Sequence, residues 1–287
     1  MEISLVCGLI GMFGWGIADF IQAHGIRSIG TPQAMMIRNL MTLILSLAVG
    51  AVLLATGDVF WPMGNVALIF LSSAVYVVGY TFYMRGIEFG RLSIVEPISS
   101  SYALITLFLM TTLADEIVTE VQVLGIFVTV FGIVFVAGDP RKIVSSGDRT
   151  SIVNGGIALA LFGVAFAALG AGSRGLGGVD AFLLSAFSQS ILFLTMSLMI
   201  GARFRQVRKA PSGMLRIFLY HSVILNIAWV GYIYGAAYGN ISIVTAVSSA
   251  FGGVGALLGI LLFRERLRLS QYFGIAMIVA GVVVVSG

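Results

Sequence analysis

Ten stretches of about 20 apolar residues, parted by short polar punctuation, govern what this chain can become, because one such stretch in a helix spans the hydrocarbon core of a bilayer. Read against Gly, Pro and charge boundaries, they fall near 3–23, 33–56, 64–85, 93–113 and 119–137, then 151–170, 180–201, 214–237, 241–263 and 269–286. Of 287 residues, 59% are hydrophobic and 10% charged, where soluble domains carry roughly a quarter charged. Spans of this length leave about 87 residues for nine connections and two ends. That is too little in any one place for a soluble catalytic, nucleotide-hydrolysing or nucleic-acid-binding domain. The expected fold is an all-α integral membrane protein of ten transmembrane helices, with its function inside the membrane.

The start, Met1-Glu2-Ile3, has no basic region ahead of its apolar run and reads as a retained first helix. Cys7 is the only cysteine and reads as a packing residue, while His24 and His221 lie too far apart in sequence for a recognisable zinc cluster. No metal or cofactor is expected. Alternating the ten spans sorts the 16 basic residues 15 to 1, with Arg174 alone on one side. Short basic loops stay cytoplasmic, so both termini are expected outside a plasma-membrane protein. The net charge of +4 then reflects loops facing anionic headgroups and not a nucleic-acid partner.

Shifting the chain by 149 positions aligns residues 83–138 with 232–287 without a gap, and 19 of 56 pairs are identical. Several are polar or glycine pairs: Tyr83/Tyr232, Ser93/Ser242, Ser99/Ser248, Glu116/Glu265, Gln122/Gln271 and Gly138/Gly287. Upstream, Phe13-Gly14 meets Phe162-Gly163 at the same offset. Each half holds five spans, an odd number, so equivalent spans enter from opposite sides. The expected organisation is two inverted five-helix repeats, 1–140 and 141–287, around a central cavity. Inverted repeats are a feature of secondary transporters, whose halves exchange conformations to open one site alternately to each side.

Gly14-Trp15-Gly16 followed by Phe20, then Pro32 with Arg38, then the repeated tail from Ser93 or Ser242 through Glu116 or Glu265 to the closing glycines occur in this order and spacing. In these features the sequence resembles the drug/metabolite transporter superfamily, in its ten-helix EamA-like branch, over nearly its whole length. In that family the glutamate typically follows a Leu-Gly pair; here it follows Ala114-Asp115 and Phe263-Arg264. The resemblance implies a carrier of small metabolites with a cavity lined mainly by spans 1, 3, 4, 6, 8 and 9.

Ionisable groups within a bilayer are costly and mark candidate sites. Asp19, about four residues from the inner end of span 1, is the only acid placed inside a span. Arg38 sits at similar depth in span 2 and is placed to pair with it; alternatively Arg38 snorkels and Asp19 is a satisfied interfacial carboxylate. Tyr76, Tyr80 and Tyr83 stack on one face of span 3, and Asn226, Trp229 and Tyr232 answer from span 8, with Trp229 at the repeat position of Tyr80. Trp15 lies one turn from Asp19 and joins the same wall. These residues are the expected substrate-binding set, with Asp19, Arg38 and His221 as coupling or ion-pair candidates, although His221 reads first as a hydrogen-bonded packing histidine. Glu96 before Pro97 reads as a solvated carboxylate at the start of span 4. Ser99-Ser100 and Ser248-Ser249 either bond back to their own helices or line the cavity. Gly252, Gly253, Gly255 and Gly259 read as helix contacts, and Gly25, Gly30, Gly155-Gly156 and Gly175–Gly178 as turns.

The function these features favour is secondary transport of a small organic metabolite, an amino acid, sugar or related compound, by a monomer or weak homodimer among membrane lipids. The competing reading is a membrane-embedded enzyme acting on a lipid, which would need clustered acids, histidines or metal ligands near the interface.

Overall fold

The computed structural model describes residues 2–54, 62–90, 92–137, 149–207, 211–262 and 269–286. Glu265 and the basic residues Arg91, Arg141, Lys142, Arg208, Lys209, Arg264, Arg266 and Arg268 lie outside the described residues. The first half holds α1 (Glu2–Ile29), α2 (Thr31–Leu54), α3 (Met63–Phe89), α4 (Leu92–Ser100), α5 (Ala103–Leu113) and α6 (Glu120–Ala137). The second holds α7 (Arg149–Leu176), α8 (Gly178–Met199), the single turn α9 (Phe204–Val207), α10 (Ser212–Tyr238), α11 (Ile241–Ser249), α12 (Phe251–Leu262) and α13 (Leu269–Ser286). Among the described residues there is no strand. Five helices among the described residues, α1, α3, α7, α8 and α10, are long and apolar enough to cross a membrane.

The apolar runs located the helices, but two of their ends lie further on. Helix α1 continues past residue 23 and α7 past 170, because Gly25, Gly155 and Gly175 are not turns: each lies inside its helix against a neighbour, Gly25 on the Phe218 ring, Gly155 on Ile98 and Gly175 on Asn65. Gly156 is likewise within α7. The chain reverses at Gly30 and Gly177, with φ of +80° and +82°, a left-handed conformation that glycine adopts without a Cβ clash. Asp19 is therefore ten residues from the end of α1, about 15 Å along the axis, and deeper than the run suggested.

The expected fourth and ninth spans are each broken at the same repeat position, α4/α5 after Ser100 and α11/α12 after Ser249. Just before each break a serine bonds back three residues: Ser99 Oγ to the Glu96 carbonyl (3.1 Å) and Ser248 Oγ to the Thr245 carbonyl (3.1 Å). Such local bonds compete with the helix ladder and bend it.

The most extensive packing joins α3 to α7, α6 to α13 and α1 to α10. The 149-residue offset carries α1 onto α7 and α3 onto α10, so two of these contacts are equivalents. Glycines permit the close approach. A Cβ added at Gly14 would lie 2.6 Å from that of Ala228 across α1–α10, and one at Gly79 would lie 2.9 Å from that of Leu161 across α3–α7. Cys7 is buried, facing Gly235 in the same seam. Large apolar side chains face outward, among them Phe13, Phe70, Phe131, Phe187 and Ile227. In water such a surface would be an aggregation hazard, whereas in lipid it is matched to its solvent.

Candidate functional site

Spacings of three and four residues turn Tyr76, Tyr80 and Tyr83 of α3 to the centre, where they meet Trp15 from α1 and Trp229 and Tyr232 from α10. Trp15 lies 5.3 Å from both Trp229 and Tyr232, and Tyr76 lies 5.3 Å from Trp229, ring centroid to centroid. The sequence reading missed Phe162 and Phe166 of α7, with Phe166 stacked on Trp229 at 5.8 Å. It also missed Tyr102 and Phe251, which stand at the two helix breaks, with Tyr102 stacked on Phe166 at 4.4 Å. One signal was available: Tyr102 and Phe251 are 149 residues apart, as are Tyr80 and Trp229, Tyr83 and Tyr232, and Tyr76 and Leu225, which also lines the site. The cage is assembled in equivalent pairs. Its free space is only about 20 Å³, enough for one water, so the rings must part to admit a solute.

The cage carries one acid. Asp19 is 6% exposed. It accepts hydrogen bonds from the Gln22 amide and from the Tyr83 hydroxyl at 3.0 Å, and Gln22 also donates to the Tyr80 hydroxyl at 2.5 Å. The counterpart of Asp19 in the second half is Ala168. There Tyr232 bonds Thr245 instead, at 2.7 Å. The expected Asp19–Arg38 ion pair is not formed. The Arg38 guanidinium lies over the rings of Tyr80 (4.3 Å) and Phe193 (4.7 Å), and among the described residues the ion pair is Arg174 with Glu116. Tyr80 separates the two charges: its hydroxyl meets the Asp19 network and its face meets Arg38.

His221 is fully buried, with Nδ1 3.0 Å from the Ala18 carbonyl. Asn226 is fixed by the Ser46 hydroxyl, which donates at 2.7 Å, and by its own donation to the Ser222 carbonyl at 2.8 Å. It lines a second small cavity with Arg38, Ser185 and Trp229, between α2, α8 and α10. Trp229 thus borders both spaces.

Two carboxylates depart from expectation. Glu96 is not solvated, and Asp19 is not the only buried acid within a span. Helix α4 begins at Leu92, well before Pro97, so Glu96 lies on the helix wall, fully buried, facing Gly255 of α12. Neither of its oxygens has a hydrogen-bond partner. Glu116, after α5, is 8% exposed. It accepts from the Ile241 (2.6 Å) and Ser242 (3.2 Å) amides, the Ser242 hydroxyl (2.6 Å) and Arg174 (2.5 Å). A first-half carboxylate thereby caps the N-terminus of the second half's broken helix, where the helix dipole favours an anion. Asp115 before it has φ +49°. This is a left-handed conformation that glycine adopts more readily than aspartate.

The profile of the EamA-like transporter family matches residues 2–138 and again 153–287. A solved structure described only as "Crystal structure of protein" superposes with a TM-score of 0.74, covering 99% of this chain and 96% of its own at 12% identity. At that identity it shares the fold. No curated protein matches the chain in sequence. With the family profile covering both halves, the chain belongs to the EamA-like transporter family, membrane transporters of the drug/metabolite type.

Proposed function

We propose that the chain is a secondary transporter carrying a small organic metabolite by alternating access between two inverted five-helix repeats, 1–140 and 141–287. Its ten spans lie in the plasma membrane with both termini outside. The observation that carries this reading is the central aromatic cage. It is built from equivalent positions of both halves, nearly closed, and furnished with one asymmetric carboxylate, Asp19. Aromatic walls grip the apolar surface of a solute while hydroxyl, amide and carboxylate groups orient its polar end. The equivalence of α1–α10 with α7–α3 supports the rocking of one half against the other. The test is uptake into proteoliposomes of purified protein. Saturable flux that accelerates when unlabelled solute is placed on the far side is the expected result, whereas non-saturable leak or turnover of a lipid would overturn the carrier reading.

A further inference from the structure

We propose that Arg38 and the cavity beside it seat an anionic group of the transported solute, a carboxylate, so that the protein carries organic acids or amino acids rather than uncharged sugars. The inference rests on the carrier reading above and narrows its substrate class. A guanidinium keeps its charge at any physiological pH, and a charge removed from water without a partner is strongly unfavourable. Arg38 is 2% exposed. The rings of Tyr80 and Phe193 cover it at 4.3 and 4.7 Å, which favours a cation through the ring quadrupole, and the Tyr76 and Tyr80 side chains also interact with the guanidinium. Its Nε has no hydrogen-bond partner. Both Asp19 and Glu116 are engaged elsewhere.

The cavity has free space of only about 20 Å³ in this state and must open with the cage to admit a carboxylate, but it supplies a second donor from a facing helix. Ser185 of α8 is 2% exposed, lines the same space, and its hydroxyl also lacks a partner. Two buried, unpartnered donors on α2 and α8 match a group with two acceptor oxygens, and charge-assisted bonds to a carboxylate are the strongest available to a guanidinium. Of the other polar groups lining the space, Asn39 donates to the Ser190 carbonyl at 2.9 Å, Thr42 to the Ser222 hydroxyl at 3.1 Å and Ser46 to Asn226. Trp229 lines this cavity and also stands in the aromatic cage, 5.3 Å from Tyr76. A solute with its carboxylate at Arg38 therefore reaches past Trp229 to place its apolar body among the cage rings.

The test compares three acids, phenylacetate, succinate and phenylalanine, with their carboxamides, in which the carboxylate charge is lost. It measures protection of the purified wild-type protein against thermal unfolding at constant chloride. At least one acid is expected to bind about tenfold or more tighter than its amide. Ser185→Ala, which removes a donor that bonds nothing in the protein, weakens that acid severalfold with little change in its amide, and Arg38→Gln abolishes the preference. Amides binding as well as acids, no protection by any of the three acids, or a full preference retained in Ser185→Ala and Arg38→Gln overturns the proposal. Chloride protecting as well as the acids overturns it too. Exchange of the same probes in proteoliposomes separates the two readings. Binding of an acid without its exchange removes the carrier, and exchange of amide as fast as acid removes the anion seat.

Discussion

Asp19 is held by a phenol and an amide and not by a cation, so a proton or a substrate donor reaches its carboxylate without first breaking an ion pair. Asp19→Asn is expected to abolish accumulation driven by a pH gradient while sparing exchange at equal pH, since exchange needs no net proton movement. Full accumulation by the variant would assign Asp19 to structure. Tyr80→Phe deletes the hydroxyl that receives Gln22 and keeps the ring under Arg38; substrate affinity should fall severalfold, with thermal stability changed by about 1 kcal/mol. Unaltered affinity in a transport assay would count against the network. Glu96 is legible as an acid in an apolar run, but its burial was not, because Pro97 looks like a helix start when α4 already began at Leu92. Phe162 and Phe166 were hidden for a different reason. A phenylalanine facing lipid and one facing a cage have the same surroundings in sequence, and Phe13, the repeat mate of Phe162, is 53% exposed.

Whole helices were legible because the apolar run that creates a span is also its length, whereas glycine carries two meanings that sequence alone does not separate. At Gly30 and Gly177 it reverses the chain, and at Gly25 and Gly155 it lets another helix come close. That distinction predicts opposite outcomes for two substitutions. Gly14→Val pushes a side chain into Ala228 and should lower stability by about 1–3 kcal/mol. At Gly156, also helical, an added Cβ meets nothing within 4 Å, so Gly156→Ala should raise stability by about 0.5–1 kcal/mol. Thermal unfolding in detergent measures both; equal losses would show that Gly156 is packed after all. The turn before Glu116 supplies a third case at this scale. Because Asp115 sits at φ +49°, Asp115→Gly relieves the conformation and should be neutral or stabilising by up to about 1 kcal/mol.

At the scale of the molecule, the proposed orientation rests on the basic residues and the symmetry on the repeat. A C-terminal reporter active only in the cytoplasm should stay silent, and a strong signal would invert the assignment. The one basic residue sorted to the outer side, Arg174, meets Glu116 at the end of the bundle where α1 begins, beside Ser4, whose hydroxyl accepts from the Asn240 amide at 2.9 Å. Glu116 reaches from the first half to the second, where three of its acceptor contacts are to the start of α11 and the fourth is to Arg174 of α7. In the alternating-access reading proposed above, parting the halves at this end would lose all four together. Such a contact acts as a latch, and a latch sets dwell time rather than affinity: it deepens one resting state and so lengthens the wait before each reorientation. Weakening it by Glu116→Gln should leave the concentration dependence of binding in place and quicken turnover, until the barrier on the opposite face becomes the slower step of the cycle.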